Sequence, residues 1–443
     1  MADFRPFRAL RYRPDAAGDI GSVLAPPFDV ISAEEQVALH QRSPCNIVRL
    51  ELAEERPGDD ARENRYTRAA ATLDEWRRSG VLVQDEQPAF YLYVQEFEHE
   101  GKRLRRTALL GRLRLEPWEA GPSPGRIRPH EETMAKPKED RLQLLRHLRT
   151  NVSPVWAVAR EIHGVESWEP FFDATTPDGQ RHTLTTMIDR ESIDAFSAAL
   201  RDQLLYILDG HHRYETALAY RDERRAQASA WTGEEPENFV LAAVTTQDDP
   251  GLVLLPFHRL VRPQALPADL IERLERFFAV DDVTPKSYDG TALLRLLARL
   301  SAAGASGTAF GALGLEEGRL HLLTLRDGAA VRALMPERSP VWQSLDASVL
   351  EYAVLRETLG VQPDAPGAID YTEDAERALR EVESGRWPLA FLLNATRIEQ
   401  MLAVADAGER MPAKSTYFHP KLATGLVLNP LDLVNAERPA KTP

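Results

Sequence analysis

The chain predicts an α+β fold organised in two parts, and three observations carry that expectation. At 443 residues it exceeds what one hydrophobic core usually organises. Its composition, 43% hydrophobic and 28% charged, is that of a chain folding around buried apolar side chains. Runs with the two-residue period of strands alternate with runs at the helical period, in mixed order and without an internal repeat.

The elements follow in order. From Phe4 to Leu50 short extended pieces surround Ala25, Pro26, Pro27, Phe28, Asp29 and Val30. The paired prolines make a rigid, non-helical connection that holds Asp29 on a stiff loop, and Ser32 is placed to cap a helix from Ala33. Residues 61–79 read as an amphipathic helix ending at Gly80, and residues 89–97 and 107–115 alternate as strands around a turn at Gly101. Residues 117–129, rich in proline and glycine, read as an exposed connection. Polar His130, Glu131, Glu132 and Thr133 come next, before a helix with Leu142, Leu145 and Leu148 at helical spacing.

Leu204, Leu205, Tyr206, Ile207 and Leu208 form an apolar strand that stops at Asp209 and Gly210 and passes directly into helix-forming residues from His211. Residues 222–238 lack an apolar stripe and read as a surface loop. Strands follow at 238–246 and 252–256, the second running into Phe257, His258 and Arg259. Pro263 to Pro267 suggests a boundary, which divides the chain into 1–262 and a mixed α/β part at 263–443. The second part predicts helices at 268–278 and 372–384, a strand at 388–393 and a frayed tail after Pro430.

Charge and cysteine content exclude several functions. The balance of 54 Lys+Arg against 68 Asp+Glu gives a formal charge of -14, which repels a polyphosphate backbone, so nucleic acid is not an expected partner. Cys45 is the single cysteine, which excludes a disulfide or a thiolate metal cluster within one chain. Asp3 and Arg5 interrupt any leading apolar run, and no later run is long enough to span a bilayer. A cytoplasmic protein with no membrane partner is the expectation.

The Asp209 junction carries the chemistry. The first amides of a helix have no partner inside it, so a glycine bend before them, followed by cationic side chains, suits an anion. Gly210, His211 and Arg213 are read as contacts to phosphate, and His212 as a charge-neutralising catalytic group. Asp209 can align a hydroxyl or ligate Mg2+. The same residues also suit a plain strand-to-helix turn, with Asp209 as cap and the histidines facing solvent. Glu131 is the candidate general base, on a proline-bounded loop where His130 can orient it. A solvated acidic loop is the alternative, and no second histidine follows four residues on to make a zinc-protease helix.

Lys138 and Arg141, three apart near a helix start, can face one phosphate, or pair with Glu139 and other acids on a wet face. Lys414 and Lys421 flank Ser415, Thr416, Tyr417 and Phe418 and can close over a nucleotide. Tyr417 and Phe418 suit core packing more than base stacking. The same lysine-rich segment suits a subunit interface, which admits a homodimer. His258 and Arg259 can reach phosphate, with a structural role as the default.

Gly210, His211, His212, Arg213 and Tyr214 resemble the Gly-Cys-His-Arg-Tyr phosphate loop of sulfiredoxin and, more distantly, the Gly-Glu-Arg-Arg loop of the ParB amino-terminal domain. His211 stands where sulfiredoxin has its cysteine, so sulfinic-acid repair does not carry over. The Asp-Gly-x-His-Arg form is similar to that of the free-serine kinases. At full length, the Ala25 to Val30 loop, the segments from His130 and Lys138, the Asp209 loop and the run from Met411 to Lys421 resemble the bacterial family called domain of unknown function 1015. The resemblance implies a ParB/sulfiredoxin-like nucleotide-binding core, in an α+β fold with the additional carboxy-terminal part. It implies a kinase using a nucleotide (ADP, ATP or CTP) with Mg2+ and a small-molecule hydroxyl substrate, free L-serine first. The rival expectation is a ParB-like nucleotide-binding or hydrolysing switch that controls a protein partner.

Overall fold

The computed structural model describes residues 2–118, 125–133, 135–161, 170–285 and 291–432. Two sheets organise it. The first is built from β1 (Phe4–Arg5), β2 (Phe90–His99), β3 (Lys102–Arg114), β4 (Ile127–Arg128), β5 (Val155–Ala159), β6 (Phe172–Thr175), β7 (Arg181–Met187), β8 (Leu205–Asp209) and β9 (Phe239–Thr246). Its order is β4-β8-β5-β9-β3-β2-β7-β6, with β1 joined to β3. The β4/β8 and β5/β9 pairs are parallel and the other neighbours antiparallel. The expected α+β class is what the chain adopts.

All five residues of β8 are buried, which explains its unbroken apolar run: both faces of the sheet are covered. Leu205 and Ile207 join one core with Phe90, Tyr214 and Val244, whereas Tyr206 and Leu208 join the other with Trp156. Strict alternation would send Asp209 to the Ile207 side, but the register against β5 shifts between Ile207 and Asp209. Such an irregularity re-aims a side chain at the end of a strand.

Among the helices, α1 (Ala33–Arg42) starts at Ser32, whose side chain accepts from the Glu35 amide as expected of a cap. Next come α2 (Arg65–Arg78), α3 (Ala135–Leu148), α4 (Arg190–Arg201) and α5 (His211–Gln227). The expected loop at 222–238 is corrected here, because α5 continues to Gln227 and a short 3-10 turn occupies Pro236–Asn238. Its last turns are exposed, and Arg146–Glu223 and Arg224–Glu237 ion pairs line them. Helix propensity and charge pairing sustain them without an apolar stripe.

The second sheet is wholly antiparallel, in the order β11-β13-β12-β15-β10-β14. Its strands are β10 (His258–Val261), β11 (Phe278–Asp282), β12 (Ala309–Leu313), β13 (Leu320–Leu325), β14 (Ile369–Thr372) and β15 (Leu389–Leu392). Helices α6 (Ala292–Gly304) and α7 (Ala375–Glu383) cover one face through Leu296, Leu300 and Ala378. The helix expected at 268–278 is Leu270–Glu275, and Phe278 opens a strand.

The division at residue 263 does not follow the sheets. β10 precedes it yet belongs to the second sheet, and after α8 (Ile398–Asp406) the chain returns to the first part. Tyr417–His419 pairs with Val253–Leu255, Leu428 bridges Leu10, and Asn429 pairs with Asn151. One continuous core runs from Trp156 and Leu208 to Phe310 and Phe391. The expected tail begins later than Pro430, since Leu431 is buried and Asp432 pairs with Arg77; residues 433–443 lie outside the described residues.

Among the described residues no helix is long and apolar enough to cross a membrane. Buried imidazoles give the protein an acid-sensitive core. Burial drives His130, His182 and His258 down from 6.5 to about 4. The folded state keeps these rings neutral while the unfolded chain protonates them, so their contribution is complete above 6.5 and lost as pH falls toward 4. Each is expected to remove about 3 kcal/mol across that window. Urea midpoints measured from about pH 7 to about pH 4 check this by falling steeply through that interval.

Candidate functional site

A cavity of about 530 Å3 opens where β8 meets α5, within the range usual for small-molecule sites. The loop of Phe28 and Asp29, the Glu131 segment and Lys414 line it from the first part, and Tyr371 of β14 and Arg377 of α7 from the second.

Gly210, not Asp209, is the N-cap of α5. It stands at φ 88°, in the left-handed region, and as a glycine it offers no capping side chain of its own. His211, His212 and Arg213 therefore present first-turn donors at the cavity they line. A Cβ on Gly210 would lie 3.0 Å from Arg213 Nε, and that guanidinium is held by Asp209 and by the Pro154 carbonyl. Gly210→Ala combines left-handed strain with this close approach and is expected to cost about 1–2 kcal/mol in urea unfolding.

The Asp209 carboxylate is buried between two cations. Lys421 Nζ donates to Oδ1 and Arg213 to Oδ2, with all three side chains at most 10% exposed. Burial alone would raise the Asp209 carboxyl, but the adjoining Lys421 and Arg213 charges outweigh it and hold the group well below the usual carboxylate range. Reciprocally, burial opposes the Lys421 charge, and Asp209 and Asp29 raise it overall.

This pairing corrects two expectations. Asp209 does not fit the role of Mg2+ ligand, because both its oxygens are taken, and among the described residues no group of three or more His, Cys, Asp or Glu is placed to hold a metal. Arg213 turns back to Asp209 and Pro154 instead of reaching out as a phosphate clamp. Within the chain, Lys421 of the lysine-rich segment joins this pair, and Met411 bridges Glu131.

The histidines divide. Buried His130 donates from Nδ1 to the Ile207 carbonyl at 2.6 Å, which leaves Nε2 to accept from the Thr416 hydroxyl at 2.8 Å. Its backbone N–H donates to His211 Nε2 at 3.3 Å, and the two rings meet edge to face at 4.6 Å. Burial and His130 push His211 well below 6.5, so its ring is a neutral strut and not the expected phosphate cation. His212 is half-buried and lines the cavity. Burial lowers it, Asp29 opposes that, and Lys414 lowers it further, so its imidazole is neutral near pH 7.

Glu131 lines the same cavity and accepts from the Lys414 amide at 3.1 Å. Lys414 itself adopts φ 58°, a left-handed conformation unusual for a residue with a Cβ. Burial raises the Glu131 carboxyl above its ordinary 4.5, and the Lys414 and Lys421 charges only partly offset this. A carboxylate with raised proton affinity in a cleft is a candidate base.

Lys138 and Arg141 are not brought together on one anion. Lys138 Nζ pairs with Glu215 at 2.9 Å, while Arg141 pairs with Asp140 and donates to the Glu51 carbonyl at 2.7 Å. The Arg141 guanidinium lies 4.0 Å from the Phe28 ring centroid, so it braces the loop that presents Asp29. His258 and Arg259 are structural: His258 Nδ1 accepts from the Leu393 amide, and Arg259 donates to the Phe257 and Lys414 carbonyls. Phe257, Asp370, Tyr371, Glu373 and Arg377 also line the cavity without any sequence signal having singled out a site there.

An α+β protein with a glycine-started helix and a buried carboxyl of raised proton affinity in one cleft is the class that fold and site define. The chain belongs to the family described as protein of unknown function (DUF1015), whose model matches residues 4–348. No curated protein matches it. Similar solved structures include a free serine kinase in complex with AMP, 15% identical at TM-score 0.34, with 68% of this chain and 89% of that chain covered. A conserved hypothetical protein from Pyrococcus furiosus is 14% identical at TM-score 0.32, covering 67% of this chain and 90% of that one. SbnI with C-terminal truncation from Staphylococcus aureus is 12% identical at TM-score 0.32, covering 69% and 84%.

Proposed function

We propose that the protein is a nucleotide-dependent small-molecule kinase that transfers a phosphoryl group to a hydroxyl. One observation carries this reading: the first helical turn after Gly210 and the proton-attracting Glu131 carboxyl line a single cavity. The terminal phosphates accept from the amides of His211, His212 and Arg213, with Lys414 supplying positive charge. Glu131 takes the proton of the acceptor hydroxyl as its oxygen bonds to the terminal phosphorus, and the bond from that phosphorus to the leaving phosphate oxygen breaks. The Asp209–Lys421 pair holds the bend in place and takes no part in bond making.

The loop's resemblance to the free-serine kinases makes L-serine the first acceptor to test and ADP, ATP and CTP the donors. Phosphorus NMR of the protein with each nucleotide, with Mg2+ as its counter-ion and a panel of hydroxyl acceptors, decides the matter. A new phosphomonoester resonance is expected. Release of inorganic phosphate without regard to acceptor would instead indicate the nucleotide-operated switch.

A further inference from the structure

Three aromatic rings from separate segments meet in the cleft. Phe257 lies in the crossover between the sheets, Tyr371 on β14, and Tyr417 on the returning carboxy-terminal strand. Phe257 stands edge to face with Tyr417 at 5.2 Å and with Tyr371 at 6.3 Å. All three are only partly buried, whereas the neighbouring Phe418 is fully buried in the core. Core packing therefore accounts for Phe418 and not for these three.

The corner is rigid. Arg259, 5% exposed, donates to the Phe257 and Lys414 carbonyls and places its guanidinium 5.2 Å from the Tyr371 ring centroid. Ordered apolar rings left open to a polar cavity, with their backbone fixed from behind, form a preorganised surface for a flat ligand. Lys414 links this corner to the anion end: its Nζ lies 5.4 Å from the Phe257 centroid, and its charge is felt by both His212 and Glu131. Exposed Glu373, which also lines the cavity, acts electrostatically on Tyr417 and supplies a carboxylate beside the rings able to accept from hydroxyls.

We infer that Phe257, Tyr371 and Tyr417 form the wall that stacks the nucleobase of the bound nucleotide, so that the second sheet completes the site. This rests on the reading of the Gly210 bend as the phosphate site. Stacking accepts any base, because every base offers a π face, so the wall supplies affinity more than base identity.

The test compares ATP with inorganic tripolyphosphate, by calorimetric titration of the full chain and of Tyr371→Leu, Phe257→Leu and Tyr371→Phe, each first shown to unfold cooperatively. Loss of a ring is expected to weaken ATP by about fivefold to about 150-fold while leaving tripolyphosphate unchanged. Tyr371→Phe, which keeps the ring, is expected to keep ATP affinity. ATP affinity indifferent to both Leu variants, or equal losses for ATP and tripolyphosphate, overturns the wall alone. A wild-type chain that binds neither compound removes the phosphate site and this inference with it.

Discussion

Lys421→Met is expected to destabilise the protein by about 3–5 kcal/mol, the range for breaking a buried ion pair from one side. The methionine approximates the apolar stem, so packing is largely kept, but the Asp209 carboxylate, only 10% exposed, loses one of its two cations. Arg213 remains, which sets the expectation toward the lower end. Asp209→Asn strands Lys421 and Arg213 instead, and the double variant is expected to recover part of the combined loss, because the charge and its partner leave together. Urea unfolding of the four proteins gives the coupling energy. Additive losses would mean that the pair does not hold the bend.

Glu131→Gln is expected to lower turnover by about 10²- to 10⁴-fold, the contribution usual for a positioned general base. Glutamine still accepts from the Lys414 amide, so the geometry of the loop survives. Nucleotide affinity is expected to hold or tighten, since a negative charge next to the phosphates is removed. In the unaltered protein, activity is expected to rise with pH through a value above the ordinary 4.5 of a glutamic acid, because burial raises this carboxyl, and that limb should vanish in the variant. Equal turnover in the two proteins would transfer the base role elsewhere in the cleft.

What the sequence made legible was local. The apolar run ending at Asp209 and Gly210 became β8 and α5 because strand period, glycine and helix-forming residues act over a few positions. The Ser32 cap and the turn at Gly101 between β2 and β3 were readable for the same reason. The Asp209–Lys421 pair joins groups 212 positions apart, and no pattern in a single sequence announces such a contact. The register shift between Ile207 and Asp209 was equally silent, although it decides where the carboxylate points. His211 and His212 look alike in sequence, yet the first step of a helix buries one ring against His130 and leaves the other half-buried. Tyr371 sits in an unremarkable polar stretch, and only the crossing of the second sheet brings it to the cavity.

The central claim is that first-turn amides after Gly210 bind the phosphates of a nucleotide. It is tested most directly by following the backbone amide resonances of 15N-labelled protein as ADP is added. The largest shifts are expected at His211, His212 and Arg213, the first-turn donors of α5. Saturable ADP binding that leaves those three resonances in place, or no binding at all, would contradict the account.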